Sequence, residues 1–348
     1  MTALLMHEAP AARAASGSPP TPWLLFLGDV EDAIAAKTAA AIARWRPERC
    51  VGQLRLPGCR ADAGIEDLSA VEAVHRGART MIVGTVNNGG TLPAHWHREI
   101  VAALDAGLDV ASGLHARLAD IAPIRDAAGR ADRQLYDVRH ETATVKAGSG
   151  CRRSGKRLLT VGTDCSVGKM YTALSIEREL RARGIEADFR ATGQTGVFIA
   201  GTGVCIDAVA SDFVSGAVEA LAPANDPDHW DVIEGQGSLF HPSCAGVTLG
   251  LIHGAQPDAL VLCHEPTRAH MRGLAGRELP DLSSCVDLVA RTARLTNRDA
   301  AFVGLSINTS RMTAHEGAQY CARLQDRFDL PCVDPVRSGV APLVDRLT

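Results

Sequence analysis

The feature that most constrains the fold is an eight-residue, glycine-rich segment between an apolar run and an amphipathic stretch. It reads Gly162-Thr163-Asp164-Cys165-Ser166-Val167-Gly168-Lys169, after the apolar run 157–161 and before the stretch 169–183. In such a loop the backbone N–H groups point inward, the following helix adds its dipole, and the lysine adds a full charge. The pattern predicts a strand, a phosphate-binding loop and a helix. The residues expected to contact the ligand are Thr163, Asp164, Cys165, Ser166, Val167, Gly168, Lys169 and Met170.

This loop departs from the usual nucleotide-hydrolase pattern at two positions. Met170 follows Lys169, where most such enzymes have the Ser or Thr that holds Mg²⁺, and Thr172 lies two positions further on. Thr163 occupies the position of the first glycine, with Gly162 one step earlier. The sequence therefore argues against magnesium-dependent hydrolysis of a triphosphate. It leaves open the binding of a phosphate-rich ligand, such as coenzyme A, without phosphoryl transfer.

Elsewhere the chain alternates short apolar runs with amphipathic stretches, which is typical of α/β folds with a mainly parallel sheet. We expect a disordered extension over 1–20, a small doubly wound α/β domain over 21–145, and a second α/β domain over 157–348, separated by a polar, glycine-bearing linker. The predicted strands are 23–27, 50–54, 80–83, 109–111, 157–161, 187–191, 230–234, 259–263 and 301–306. The predicted helices are 34–45, 69–76, 93–106, 169–183, 212–221, 281–293 and 314–328.

Charge and cysteine content narrow the class of protein. The net charge is −4, from 36 Lys+Arg against 40 Asp+Glu, and a basic stripe of the kind that binds nucleic acid is missing from the sequence. The sequence contains no run of about 18 apolar residues, so we expect no membrane span. The ten cysteines lack C-x-x-C or Cys/His metal spacing, so we expect reduced thiols in a cytoplasmic protein without a metal site. The expected partners are small-molecule substrates and further copies of the chain, as a homo-oligomer.

Polar motifs follow several of the predicted strands. Gly193, Gln194, Thr195 and Gly196 follow strand 187–191 and are expected to contact the ligand. Glu234 ends strand 230–234 at the Walker-B position, where a carboxylate can hold a metal, orient water or act as a base. Because the carboxyl ends of parallel strands meet at one edge of a sheet, these motifs should line one crevice.

Two further loops follow strands in the N-terminal half. Asn87, Asn88, Gly89 and Gly90 follow strand 80–83 and suggest a nest for an anion or carboxylate. The segment 113–115 follows strand 109–111 and should lie at the same edge of that sheet.

Together these motifs resemble a P-loop family, long labelled as being of unknown function, that includes D-glutamate N-acetyltransferase. The resemblance covers roughly residues 21–340, and the Lys169-Met170 pair looks like the family's own form of the loop. The matching blocks are 89–93, 107–110, 113–115, 137–139, 161–170, 192–196, 203–209, 212–216, 234–239, 241–242 and 254–260.

The resemblance implies a Rossmann-like N-terminal domain, a P-loop NTPase-like C-terminal domain, and acetyl transfer from acetyl-coenzyme A to the amine of D-glutamate in D-amino acid catabolism. Only a neutral amine attacks a thioester, so a base is required. The candidates for that base are Glu234, Asp164 and His241, in that order. The residues expected to bind the acceptor are Asn87, Asn88, Gly89, Gly90, Arg139, Arg190, Gln236 and Ser238.

Two other functions remain open. The pair Thr163-Asp164 ahead of the loop resembles this part of the sequence of dethiobiotin synthetase. The main alternative is therefore a ligase or kinase that uses ATP and Mg²⁺. Met170 counts against this alternative, and Glu234 counts for it. The third hypothesis is a nucleotide-sensing module without catalytic activity.

Overall fold

A computed structural model describes residues 17–86, 90–140 and 146–348. The chain divides into two compact units. The first unit comprises Met1–Glu141 and Val197–Thr202, and the second comprises Thr142–Gly196 and Gly203–Thr348.

The first unit contains a five-stranded sheet with helices between the strands. Its strands are β1 (Trp23–Gly28), β2 (Cys50–Arg55), β3 (Thr80–Val83), β4 (Asp109–Ser112) and β5 (Leu135–Asp137). Its helices are α1 (Lys37–Trp45), α2 (Ala70–His75), α3 (His97–Asp105) and α4 (Ala122–Ala131). The strand order is β2-β1-β3-β4-β5, and every adjacent pair is parallel.

A six-stranded sheet forms the centre of the second unit. Its strands are β6 (Lys156–Gly162), β7 (Ala187–Arg190), β8 (Trp230–Ile233), β9 (Ala259–His264), β10 (Ala301–Ile307) and β11 (Cys332–Val333). The helices that follow in chain order are α5 (Lys169–Ala182), α6 (Gln194–Ala200), α7 (Val214–Leu221), α8 (Ala245–Ala255), α9 (Leu282–Arg294), α10 (Ala314–Phe328) and α11 (Ala341–Val344). The order is β11-β10-β9-β6-β8-β7, again all parallel.

The second sheet is buried on both faces. Successive side chains of a strand point to opposite faces, so consecutive apolar residues require cover on both sides. Leu158 and Val232 pack with α5 and α11, whereas Leu159 and Ile233 pack with α7, α8 and α9. This layering leaves the carboxyl ends of the strands as the place where polar loops gather.

The nine predicted strands are all present, but the predictions missed the strands β5 and β11 and the helices α4, α6, α8 and α11. Helix α8 is rich in glycine, which has low intrinsic helix propensity. Two of its glycines permit close packing on α7: a Cβ at Gly250 would lie 2.5 Å from a Val214 methyl carbon, and one at Gly254 would lie 2.3 Å from the Ser215 carbonyl oxygen. Tertiary packing thus accounts for these glycines. Among the described residues, no helix has both the length and the apolar character needed to cross a bilayer.

Candidate functional site

The site is built where β6, β7, β8 and β9 end. These strands are neighbours in the order β9-β6-β8-β7 and run parallel, so the loops that follow them meet at one edge of the sheet. β6 is central, with β8 on one side and β9 on the other. This is the topological switch point at which open α/β sheets bind their ligands.

The loop between β6 and α5 wraps around the side chain of its own lysine. Gly168 caps α5 with φ at 109°, in the region that favours glycine. Lys169 is only 6% exposed, and its Nζ donates to the Asp164 carbonyl oxygen at 2.8 Å. An ammonium group has three donors, so the bond to Asp164 leaves Nζ further capacity for phosphate oxygens. The loop therefore combines a helix N-terminus with a fixed positive charge, as phosphate binding requires.

Two arginines that the sequence analysis did not identify, Arg268 and Arg272, donate hydrogen bonds to this loop. Arg268 Nη1 donates to Asp164 Oδ2 and to the Cys165 carbonyl oxygen, both at 2.6 Å, and its Nη2 donates to the Ser166 carbonyl oxygen at 3.0 Å. Arg272 Nη1 donates to Ser166 Oγ at 2.6 Å. Both arginines follow β9, which pairs with β6. Their position after the end of a predicted strand is the feature of the sequence from which they could have been identified. They add positive charge beside the loop.

Asp164 and His241, two of the three base candidates, are already engaged by the protein. Asp164 is fully buried, and its carboxylate accepts hydrogen bonds from Arg268 and from the backbone N–H groups of Cys165 and Arg272. His241 Nε2 lies 3.0 Å from the Arg272 carbonyl oxygen, and its Nδ1 accepts from Ser243 N–H at 3.3 Å. Both ring nitrogens of His241 are therefore engaged, and Asp164 already accepts three hydrogen bonds, one of them from a guanidinium group, so the protein itself uses most of the acceptor capacity of these two groups.

Glu234, the first candidate, lies in a different electrostatic environment. It is 4% exposed, and its Oε2 accepts from the N–H groups of Thr192 at 3.0 Å and Gly193 at 3.2 Å. Burial raises the pKa of Glu234 to about 7, although these N–H bonds, Gln236 and the charge of Lys169 act in the opposite direction. A carboxyl group with that pKa can both take and return a proton near neutral pH.

Two glycines allow this carboxylate to lie where it does. A Cβ at Gly235 would lie 1.6 Å from the Thr160 carbonyl oxygen, and 3.1 Å from Lys169 Cδ. A Cβ at Gly196 would lie 2.3 Å from Glu234 Oε2. The absence of side chains at both positions therefore lets the end of β8 lie against β6 and Lys169, and lets the Glu234 carboxylate lie against the first turn of α6.

The turn after β7 and the segment after β8 are joined by hydrogen bonds. Thr192 Oγ1 donates to the Glu234 carbonyl oxygen at 2.5 Å and accepts from Gln236 Nε2 at 3.2 Å. Ser238 Oγ accepts from Phe240 N–H at 3.2 Å. Gln194 begins α6, and its buried Oε1 lacks a hydrogen-bond partner among the residues that the structure describes. That oxygen is available to a donor on a ligand.

Several other predicted residues are engaged in contacts inside the second unit. Thr163 Oγ1 lies 3.0 Å from Nδ1 of His264, whose pKa burial lowers to about 4. Thr172 Oγ1 lies 2.7 Å from Ser306 Oγ and donates to the Gly168 carbonyl oxygen, so it does not replace the hydroxyl that Met170 lacks. The remaining loop residue, Val167, is buried.

Arg190, a predicted acceptor-binding residue, already neutralises acidic side chains. Its Nε donates to Asp231 Oδ1 at 2.6 Å, and its Nη2 lies 3.1 Å from Asp188 Oδ2. A substrate carboxylate would have to compete with both of these partners.

The predicted residues of the first unit are only partly described. Asn87, Asn88 and Gly89 lie outside the described residues. A Cβ at Gly90 would lie 2.3 Å from the His115 ring, so the loops after β3 and β4 do meet at one edge, as predicted. Arg139 is buried, and its Nε donates to the Gly113 carbonyl oxygen at 2.7 Å.

Two groups of potential metal ligands occur among the described residues. One joins Cys165, His241 and Cys244, and the other joins Asp188, His229 and Asp231, each with its ligand atoms within 4.8 Å of one another. Both groups draw on residues far apart in the chain, which explains why spacing in the sequence did not predict them.

The sequence and the fold of this chain match those of a known protein family. A family model described as "Domain of unknown function (DUF1611_N) Rossmann-like domain" matches residues 54–141, and one described as "Domain of unknown function (DUF1611_C) P-loop domain" matches residues 143–344. A crystal structure of a DUF1611 family protein from Anabaena variabilis is 31% identical with a TM-score of 0.84, covering 94% of this chain and 99% of that one. These matches confirm the predicted pair of domains.

Two curated proteins are similar over nearly their full length. A protein named D-glutamate N-acetyltransferase from Tritonibacter scottomollicae is 50% identical over 327 residues. A protein of the same name from a Pseudoalteromonas species is 47% identical over 326 residues. Each match covers 94% of this chain and 98% of the relative.

Proposed function

We propose that this chain, which belongs to the DUF1611 family, is an N-acetyltransferase that moves the acetyl group of acetyl-coenzyme A to the amine of D-glutamate. The shared name of two relatives at 47–50% identity supports the substrate pair. The observation that carries the chemistry is Glu234: a buried carboxyl group with a pKa of about 7, at the end of the strand that pairs with β6, which the proposed phosphate loop follows.

The donor's phosphates suit the loop between β6 and α5. Lys169 and the first N–H groups of α5 would bind its pyrophosphate, and Arg272 adds a second positive charge at Ser166. In this reaction the loop anchors the phosphates of coenzyme A and does not cleave them, because the transferred acetyl group is at the other end of that molecule. A loop that lacks the magnesium-binding hydroxyl at Met170 is compatible with that task.

Glu234 then serves as the general base. It removes a proton from the ammonium group of the acceptor, and the neutral amine attacks the acetyl carbonyl carbon. The N–C bond forms, the C–S bond of the thioester breaks, and coenzyme A leaves as a thiolate that takes the second amine proton to become the free thiol. A base of this kind contributes about 10²–10⁴-fold to the rate. Thr192 and Gly193 hold Oε2 in place through their N–H groups, so the carboxylate does not have to reorganise during proton transfer.

Acceptor binding is assigned to polar groups around this carboxylate. Gln236 and Ser238 follow β8 directly, and the unpartnered Oε1 of Gln194 suits an ammonium or amide donor. Arg190 stays as a candidate for the acceptor's carboxylates, although it is already paired with Asp188 and Asp231. Arg139 and residues 87–90 belong to the first unit and stay predictions from the sequence.

A ligase or kinase that uses ATP and Mg²⁺ is the second candidate, because Glu234 also has the Walker-B position. The engaged hydroxyl of Thr172 and the thioether of Met170 count against it.

The test compares the two chemistries in parallel. The protein is incubated with acetyl-coenzyme A and D-glutamate, with L-glutamate in place of the D-isomer, and separately with ATP, Mg²⁺ and D-glutamate. Acetylated product is followed by mass spectrometry, since the ten cysteines of the chain would interfere with thiol reagents. We expect N-acetyl-D-glutamate and no phosphate release. Phosphate release without acetylated product would refute the proposal.

A matched pair of lysine variants tests the donor site. Lys169→Met removes the charge inside the loop, and Lys156→Met removes an exposed charge at the other end of β6, where it contacts Asp228. We expect the apparent affinity for acetyl-coenzyme A to fall at least about 10-fold in the first variant, the scale of one charge-assisted hydrogen bond. The second should keep wild-type affinity. Equal affinities in both variants would remove the loop from donor binding.

A further inference from the structure

Two thiols lie in contact at the phosphate loop. Cys165, inside the loop, and Cys244, immediately before α8, have their Sγ atoms 3.5 Å apart, although 79 positions separate them in the chain. Both side chains are partly exposed. A disulfide requires the sulfurs about 1.5 Å closer than this, a shift within the reach of side-chain rotation and small backbone movements.

The surroundings make one of these sulfurs a nucleophile. Either thiol can donate the hydrogen bond between the two sulfurs. With Cys244 as the donor, this bond and the charges of Lys169 and His241 lower the pKa of Cys165 against the opposing effect of burial. The same bond, together with burial, raises the pKa of Cys244. The lowered pKa increases the fraction of Cys165 that is present as the thiolate. Thiolates, and not thiols, attack peroxides and disulfides.

His241 lies close to both sulfurs, so a soft metal ion is a competing occupant. A histidine ligand needs a free ring nitrogen, and both nitrogens of His241 already bond to main-chain groups, the Arg272 carbonyl oxygen and Ser243 N–H. Asp164, the nearest carboxylate, is engaged by Arg268. The geometry thus favours chemistry between the two sulfurs over metal binding.

We propose that Cys165 and Cys244 form a peroxide-sensitive modification site, in which a reversible disulfide ties the phosphate loop to the start of α8. The Cys165 thiolate attacks hydrogen peroxide; the O–O bond breaks, a sulfenic acid forms, and hydroxide leaves. The Cys244 sulfur then attacks the Cys165 sulfur; the S–S bond forms, the S–O bond breaks, and the thiol proton leaves with the hydroxyl group as water. Two thiols lose two electrons, and the peroxide is reduced to two waters.

The disulfide would act on ligand binding through the neighbours of Cys165. The Cys165 N–H group donates to Asp164 Oδ1, and its carbonyl oxygen accepts from Arg268. Drawing the sulfur towards Cys244 strains both bonds, and Asp164 is the residue whose carbonyl holds Lys169 Nζ. We expect the oxidised loop to bind phosphate groups more weakly.

The chain contains a second thiol pair that serves as an internal reference. Cys321, on α10, accepts a hydrogen bond from Cys332, on β11, and this bond lowers the pKa of Cys321. This pair belongs to elements at the far edge of the second sheet, since β11 is its edge strand and β6 lies three positions further in. Oxidation of this pair reports general reactivity, not an effect at the phosphate loop.

The experiment treats the full-length protein with hydrogen peroxide and maps disulfides by mass spectrometry of non-reduced peptides. We expect the peptides of Cys165 and Cys244 to be linked first, and dithiothreitol to release them. In Cys244→Ser, which should keep the basal activity, Cys165 should instead progress to sulfinic acid that dithiothreitol does not reverse. Unlinked Cys165 and Cys244 peptides in the oxidised protein, or a link between Cys321 and Cys332 alone, would overturn the proposal.

Coenzyme A itself is the probe for the consequence. Calorimetry on reduced, oxidised and re-reduced protein should show affinity at least about 10-fold weaker after oxidation and restored by dithiothreitol, with no reversible change in Cys244→Ser. Linked peptides with unchanged affinity would overturn the effect on the loop. If reduced protein binds no coenzyme A, the proposed acetyl transfer fails, while the peptide map still decides the modification site.

Discussion

Each end of β8 carries a buried carboxylate, and the two carboxylates differ in whether a cation contacts them. Asp231, near the start of the strand, is fully buried and accepts a 2.6 Å bond from Arg190 Nε. Glu234, just after its end, is bonded by N–H groups of an uncharged turn, with Lys169 acting only through space. A buried carboxyl group that no cation contacts holds its proton to higher pH, as the raised pKa of Glu234 shows. The comparison teaches that neighbours, and not burial alone, make Glu234 a candidate base.

The largest expected effect comes from removing the proton-accepting group at the carboxyl end of the strand. Glu234→Gln keeps the shape and the acceptor oxygen but cannot take a proton, so kcat should fall about 10²–10⁴-fold. The protein should remain folded by circular dichroism. Acetyl transfer at the wild-type rate would show that another group takes the proton.

The same isosteric change at the other end of the strand should affect stability instead. Asp231→Asn removes one of the two carboxylates that pair with the partly buried guanidinium of Arg190, the other being Asp188, so the free energy of unfolding should fall by roughly 1–2 kcal/mol. Chemical denaturation measures this, and turnover per folded molecule should remain close to that of the wild type. A loss of turnover as large as in Glu234→Gln would mean that the two ends of β8 are not separate in function.

The pH dependence of stability tests the raised pKa directly. In the folded state Glu234 keeps its proton up to a pKa of about 7, whereas the unfolded chain loses it near 4.5. Its contribution is therefore fully present below pH 4.5 and is lost as the pH rises to 7. Relative to Glu234→Gln, the wild type should lose roughly 3 kcal/mol over that interval. Parallel stability curves for the two proteins would show that the pKa is not raised.

A pair of glycine variants should give the smallest effect. A Cβ in Gly196→Ala would meet Glu234 Oε2 at 2.3 Å and displace the carboxylate, so we expect turnover to fall roughly 10-fold through misplacement of the base. Gly246→Ala, in α8, has no heavy atom within 4 Å of the added carbon and should gain roughly 0.5–1 kcal/mol of stability at full activity. Steady-state kinetics on both variants makes the comparison. Equal turnover would mean that the position of Glu234 is not critical.

The phosphate loop, nine of the strands, seven of the helices and the pair of α/β domains could be predicted from the sequence, whereas β5, β11, α4, α6, α8 and α11 could not. The predicted features depend on glycine positions and apolar periodicity within about ten residues, so they can be read locally. The position of Glu234 after an apolar strand was also visible, and it predicted a carboxylate at the carboxyl edge of the sheet.

The contacts among the loops at this edge of the sheet are visible only in the tertiary structure. Arg268 contacts Asp164 across 104 positions of the chain, Cys165 contacts Cys244 across 79, and the glycines of α8 make sense only against α7. The pKa of Glu234 likewise follows from burial and from neighbours on other strands. Such contacts are set when parallel strands place distant loops at one edge, and local patterns carry no information about which loops will meet. The sequence thus specified a phosphate loop followed by a methionine, and the fold supplied the buried carboxyl group and the thiol pair that surround it.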